Sequence, residues 1–206
     1  GPSAVTVEPS GRFAYVVNAT PNQNQVSQFS IQPNGALAAT GVPLSLAPTA
    51  APQAIVGDPT GQFLYVANNG TNNVSAYLIA AADGSLTGIG STSSATLGTG
   101  PVSLAVDPLG RFLYVANKTS NNVSAFRIDQ VTGALVEHTA SPFALGSPTS
   151  PQSIAVDLSG QFAYVANASG TVTAFAIDQT TGALSGVGSP FPAGSNPSAI
   201  TTVGRF

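Results

Sequence analysis

Four acidic side chains recur through the sequence at nearly constant spacing: Glu8, Asp58, Asp107 and Asp157. Carboxylates placed so regularly could line a channel or hold a cation. Their neighbours point to a different role. Each opens a four-residue turn, as in Asp58-Pro59-Thr60-Gly61 and Asp107-Pro108-Leu109-Gly110, where a carboxylate accepts backbone N–H groups. A residue shared by every repeat is expected to be structural. The same reading applies to Asn18, Asn68, Asn117 and Asn167, which end the second strand of each repeat and are expected to cap exposed backbone groups. No catalytic residue is assigned. His138, the single histidine, is the only candidate, as an acid–base partner of Glu137. Adjacent strand residues point to opposite faces, however, so an exposed fourth-strand His138 is expected instead. The sequence has no Gly-x-Ser-x-Gly elbow, no His-x-x-x-His pair and no cysteine, the usual carriers of a serine nucleophile or zinc. No cofactor and no metal site are expected. Arg12 and Arg111 share a repeat position with Gln62 and Gln161, which reads as a solvated turn position.

The elements that must position these groups are legible in one stretch, Asp107 to Ile128. A tight turn leads into an aromatic and β-branched run, Phe112 to Val115. A polar Asn/Ser/Thr loop follows, then a second run, Val123 to Ile128. Tyr15, Tyr65, Tyr114 and Tyr164 head equivalent runs at separations of 50, 49 and 50 residues. The repeats are therefore about 2–51, 52–100, 101–150 and 151–196, with 197–206 reproducing a first strand. Apolar residues recur at spacing two or in short continuous runs, without helical periodicity. Strands such as Phe162 to Val165 are apolar on both faces and need cover on both. Four short strands in a unit of about 50 residues, sandwiched by its neighbours, are what a propeller blade requires. A parallel β-helix would use shorter coils and fewer hairpin turns. The expected fold is all-β, a β-propeller-type array of four four-stranded blades plus one extra C-terminal strand, making 1–206 a single repeat domain.

Composition narrows the partners. Charged residues are 6% of the chain and the net charge is −3, with five scattered basic side chains, so no nucleic-acid partner is expected. Although 43% of residues are hydrophobic, no apolar run approaches the roughly 20 residues of a spanning helix. The neutral polar surface suggests an extracellular, periplasmic or cell-surface setting. The first residue is Gly1 rather than methionine, which reads as a processed product or a piece of something longer. Sequons stand at Asn18, Asn69, Asn73, Asn117, Asn122 and Asn167, although Asn-, Ser- and Thr-rich repeats produce such triplets by chance.

The units resemble the YVTN family of β-propeller repeats and the lactonase-type seven-bladed propellers that share them. The resemblance rests on the Asp-Pro-x-Gly-x-Phe-x-Tyr-Val-x-Asn core, the Asn-Asn-Val-Ser-Ala-[Phe/Tyr]-x-Ile third strand and the Thr-Gly-Ala-Leu turns (Thr132 to Leu135, Thr181 to Leu184). It covers essentially the whole chain. Val17, Ala67, Ala116 and Ala166 replace the threonine of the family name, Leu158 replaces the turn proline, and four units stand where the family usually has seven. The resemblance implies a lactonase-like sugar-lactone hydrolase or a fragment of one, whose phosphogluconolactonase chemistry needs a base and cationic groups for phosphate. The residues themselves, with low charge and no catalytic set, lead to a different expectation: a non-enzymatic scaffold that binds or self-assembles. A homo-oligomer or filament is expected from open end faces and the surplus strand, with a protein or carbohydrate ligand left open.

Overall fold

The computed structural model describes residues 1–20, 24–92, 98–146 and 149–203. These residues form four antiparallel sheets and no helix. The first sheet holds β1 (Pro2–Val7), β2 (Phe13–Asn18), β3 (Gln25–Ile31), β4 (Leu37–Ala39) and β5 (Leu44–Ser45). The second holds β6 (Pro52–Gly57), β7 (Phe63–Asn68), β8 (Asn73–Ile79) and β9 (Leu86–Ser91). The third holds β10 (Pro101–Val106), β11 (Phe112–Asn117), β12 (Asn122–Ile128), β13 (Leu135–Glu137) and β14 (Phe143–Ala144). The fourth holds β15 (Pro151–Val156), β16 (Phe162–Asn167), β17 (Thr171–Ile177), β18 (Leu184–Gly186) and β19 (Phe191–Pro192).

Within each sheet the strands follow chain order, and the inner strands β1, β6, β10 and β15 adjoin one another from sheet to sheet. Each inner strand begins with a proline whose register then slips by one residue against its neighbour. Proline has no N–H for the ladder, and a bulge at the strand entry absorbs the loss. Proline also decides the outer edge. Pro43, Pro142 and Pro190 interrupt the fourth strand of three sheets and split it in two. The second sheet has no proline there, and β9 runs unbroken for 6 residues.

The core lies between sheets. Phe112, Tyr114, Ala116, Val123 and Ala125 of the third sheet pack against Ile154, Ala163, Val165, Phe175 and Ile177 of the fourth. Equivalent residues build the second-to-third and first-to-second junctions. At each junction a tyrosine O–H reaches a glycine carbonyl in the next sheet's outer turn: Tyr15 to Gly84 at 2.8 Å, Tyr65 to Gly133 at 3.1 Å and Tyr114 to Gly182 at 3.0 Å. The phenylalanine two residues earlier packs its ring against the same glycine. A Cβ there would stand 2.3 to 2.5 Å from the ring, and all three glycines have positive φ. Only glycine permits both the turn and this approach. Burial pushes these three phenols well above the ordinary tyrosine value, reinforced by a nearby carboxylate in each case.

One expected element is absent. Among the described residues of the C-terminal stretch, 197–203 form no strand. The stretch lies along β15, where Ile200 N–H donates to Ser153 Oγ at 3.3 Å and Thr202 Oγ1 to the Val156 carbonyl at 2.8 Å. With no second strand on its far side, it has no ladder to join.

Candidate functional site

The recurrent acids close their turns. Asp107 accepts the backbone N–H groups of Arg111 and Phe112, and Asp58 those of Thr60, Gln62 and Phe63. Burial pushes the Glu8 carboxyl up. Hydrogen bonds from the Ser10 hydroxyl and from the N–H groups of Ser10, Arg12 and Phe13 outweigh it and leave Glu8 below the usual carboxylate value. Asp157 is lowered in the same way through Ser159, Phe162 and Gln161. These four carboxylates belong to four separate turns with four sets of local donors.

The recurrent asparagines bond backbone groups only in part: Asn18 and Asn167 Nδ2 donate to the Val16 and Val165 carbonyls at 3.4 and 3.3 Å, while side-chain partners recur in all four. Asn117 Nδ2 donates to Asn122 Oδ1 and Ser124 Oγ, both at 2.9 Å, and Asn68 Nδ2 reaches Asn73 and Ser75 in the same manner. Each ties the second strand to the third through side chains. Cross-strand pairing decides this, because it sets Asn117 opposite Asn122.

Of the two arginines at the shared turn position, Arg12 is exposed as expected and Arg111 departs from expectation. Arg111 is not a solvated turn residue. Its guanidinium lies 5.0 Å above the Phe112 ring and pairs with buried Asp107 at 3.0 Å. It then crosses to the fourth sheet, where Nη1 donates to the Gln179 carbonyl at 2.9 Å and Nη2 to Gln179 Oε1 at 3.0 Å. Arg12 makes a similar crossing to the Ala81 carbonyl at 2.9 Å. Stacking on the aromatic ring leaves each guanidinium edge aimed at the next sheet.

Between the third and fourth sheets this arrangement opens a cleft of about 340 Å³, lined by Arg111, Arg127, Asp129, Gln130, Gln179 and Thr180 among others. Such a volume suits a small ligand. Arg127 pairs across the strands with Phe112, and so faces the fourth sheet; it is exposed and has no hydrogen-bonded partner among the described residues. Backbone N–H groups of Thr132 and Val131, the Thr132 hydroxyl and, last, the Arg127 charge hold the Asp129 carboxyl below its ordinary value. The corresponding gap between the first two sheets is about 170 Å³, and its lining pairs a single cation, Arg12, with the Glu8 carboxylate.

The sequence reading passed over Arg127. The signal was the break in the repeat: Ser30, Leu78 and Ala176 hold the equivalent place opposite the phenylalanine, and only the third repeat puts a cation there. His138 does not line the cleft. It is half-buried rather than exposed, just beyond β13, with its ring centroid 5.7 Å from that of Phe143 and Nδ1 accepting the Ala140 N–H at 3.0 Å. Glu137 Oε1 is buried without a hydrogen-bonded partner among the described residues, the His138 ring included.

Fold and site together define a repeat array of antiparallel sheets with a cationic cleft between two of them. The chain belongs to the lactonase family of seven-bladed β-propellers, whose profile matches residues 42–150, over half of its length. Residues 151–172 match the LVIVD repeat. A 6-phosphogluconolactonase from Formosa agariphila is 43% identical over 71 residues, which are 34% of this chain and 20% of that protein. Two solved structures, provisionally assigned as 6-phosphogluconolactonases from Bacteroides uniformis and Bacteroides fragilis, superpose with a TM-score of 0.81 at 17% and 21% identity. They cover 95% and 96% of this chain, which spans 56% of each of theirs. A periplasmic gluconolactonase from Pseudomonas aeruginosa superposes at a TM-score of 0.66 and 18% identity, covering 95% of this chain and 72% of its own. At these identities the structural likeness speaks to fold. The family match overturns the expectation of a non-enzymatic scaffold. That expectation rested on the low charge and the lack of a recognisable catalytic set in the sequence.

Proposed function

We propose that the protein is a lactonase-type hydrolase built from four propeller blades of the YVTN kind, acting on a sugar lactone that carries an anionic group. Membership of the lactonase family carries this reading, and the cleft between the third and fourth sheets supplies its chemistry. Arg127, beside Asp129 and without a hydrogen-bonded partner among the described residues, and Arg111, held by Asp107 and Gln179, present guanidinium groups suited to a phosphate. Gln130, Gln179 and Thr180 offer neutral partners for sugar hydroxyls. In the reaction, water adds to the lactone carbonyl, the ring C–O bond breaks, and the ring oxygen leaves with a proton to give the open hydroxy acid. The substrate class follows the name of the Formosa agariphila relative, a 6-phosphogluconolactonase.

Hydrolysis of 6-phosphogluconolactone and of unphosphorylated gluconolactone by the purified chain tests the reading. Acceleration over spontaneous opening is expected, and Arg127→Ala should raise KM for the phosphorylated substrate by roughly tenfold or more, as for a lost charged hydrogen bond. The unphosphorylated lactone should be far less affected. His138→Ala should leave both rates unchanged. Failure to accelerate either lactone would overturn the proposal.

A further inference from the structure

One core position of the repeat is filled differently in the first sheet. Opposite the tyrosine of the second strand, the second, third and fourth sheets carry Ala76, Ala125 and Ala174, all buried. The first sheet carries Gln28 opposite Tyr15, on the side that faces the second sheet, and Gln28 is only 8% exposed. Its Oε1 is buried with no hydrogen-bonded partner among the described residues, and so is Thr40 Oγ1. The two residues are neighbours, since the Thr40 N–H donates to the Gln28 carbonyl at 2.9 Å. Buried polar atoms are normally paired, and an unpaired one weakens the fold. Three repeats avoid that penalty with alanine. The first accepts it.

Both side chains line a cleft of about 360 Å³ between the outer strands of the first sheet and the start of β9 in the second. That volume lies within the range of small-molecule sites. Leu44 and Leu86 are half-buried in its walls, and Val42 on the rim is 85% exposed. No charged side chain lines it among the described residues. The counterpart one junction further on, lined by Ala76, Ala134 and Leu135, measures about 100 Å³. Pro43 splits the outer strand of the first sheet and opens the space, whereas the unbroken β9 narrows its counterpart. The unpaired polar atoms and the enlarged cleft therefore occur at the same junction.

We propose that this cleft is a second binding site, apart from the cleft of Arg111 and Arg127, for a small neutral molecule with an apolar body and a hydroxyl group. Val42, Leu44 and Leu86 cover the body of the guest. Its hydroxyl donates to Gln28 Oε1 and accepts from the Thr40 O–H. The terminal torsion of glutamine is broad and the threonine O–H rotates, so both adjust to the guest. A charged guest would lose its hydration here with no opposite charge in return.

Titration of the 15N-labelled 206-residue chain with cyclohexanol, followed through backbone amide shifts, tests this without any lactone. Saturable shifts confined to residues 28, 40–45 and 85–86 are expected, and cyclohexanecarboxylate should bind at least tenfold more weakly. Gln28→Ala restores the residue of the other repeats. It should weaken cyclohexanol binding by about three- to tenfold, as for one neutral hydrogen bond, while the thermal midpoint holds or rises. A glutamine kept only for the fold would lower the midpoint on replacement and leave binding unchanged. Thr40→Val repeats the test from the second polar group. Shifts that are absent or scattered over the surface, equal affinity for the carboxylate, or binding indifferent to both Gln28→Ala and Thr40→Val would overturn the proposal.

Discussion

Phe112 and Phe162 occupy the same position in consecutive repeats, and truncating each to alanine separates what sequence shares from what packing adds. Phe112 is 3% exposed and lies on Gly182 within the junction between the third and fourth sheets. An aromatic side chain buries about 150–250 Å², worth about 4–6 kcal/mol at about 25 cal/mol per Å². Alanine keeps the Cβ and its burial, and the cavity left by the ring is not refilled, because the Gly182 turn opposite has no side chain to move in. A loss of about 3–5 kcal/mol is expected for Phe112→Ala. Phe162 is half-buried with no sheet beyond it among the described residues, and its removal should cost this 206-residue chain about 1 kcal/mol or less, the range of surface changes. Urea unfolding followed by circular dichroism, at a concentration below that of any association, measures both. Equal losses at the two positions, or a loss under about 1 kcal/mol for Phe112→Ala, would refute the inter-sheet origin of the core.

Gly182→Ala should destabilise more than Gly35→Ala by about 1–3 kcal/mol: both strain a positive φ, but only Gly182 forces a Cβ into Phe112, so the difference isolates overpacking. Tyr114→Phe should cost about 1 kcal/mol, because it removes the hydroxyl that donates to Gly182 while keeping the ring; thermal or urea unfolding reads it directly. Acid should weaken the fold with a definite sign. Glu8 and Asp157 have lowered folded values, so their contribution is fully present above the ordinary carboxylate value of about 4 and is lost as pH falls through the folded values. Stability at pH 6 and pH 7 should match in this respect, the decline should begin near pH 4, and Glu8→Gln should reduce it.

Local chemistry fixed much of the fold through the chain itself. The turn carboxylates, the alternation of apolar residues and the spacing of Tyr15, Tyr65, Tyr114 and Tyr164 all act within a few residues, and they led to four repeated sheets. Even the split of the outer strand follows local proline, once Pro43, Pro142 and Pro190 are set beside a second repeat that has none there. Contacts between sheets join residues some 68 or 69 apart, as Tyr15 and Gly84, or Arg111 and Gln179, and no local pattern announces them. Only the stacked sheets turned Arg111 from a turn residue into a clasp and set Arg127 beside it in a cleft. Only they made Phe162 unlike Phe112. Strand periodicity is a property of neighbours along the chain, whereas burial and the meeting of charges depend on which sheet comes next in space.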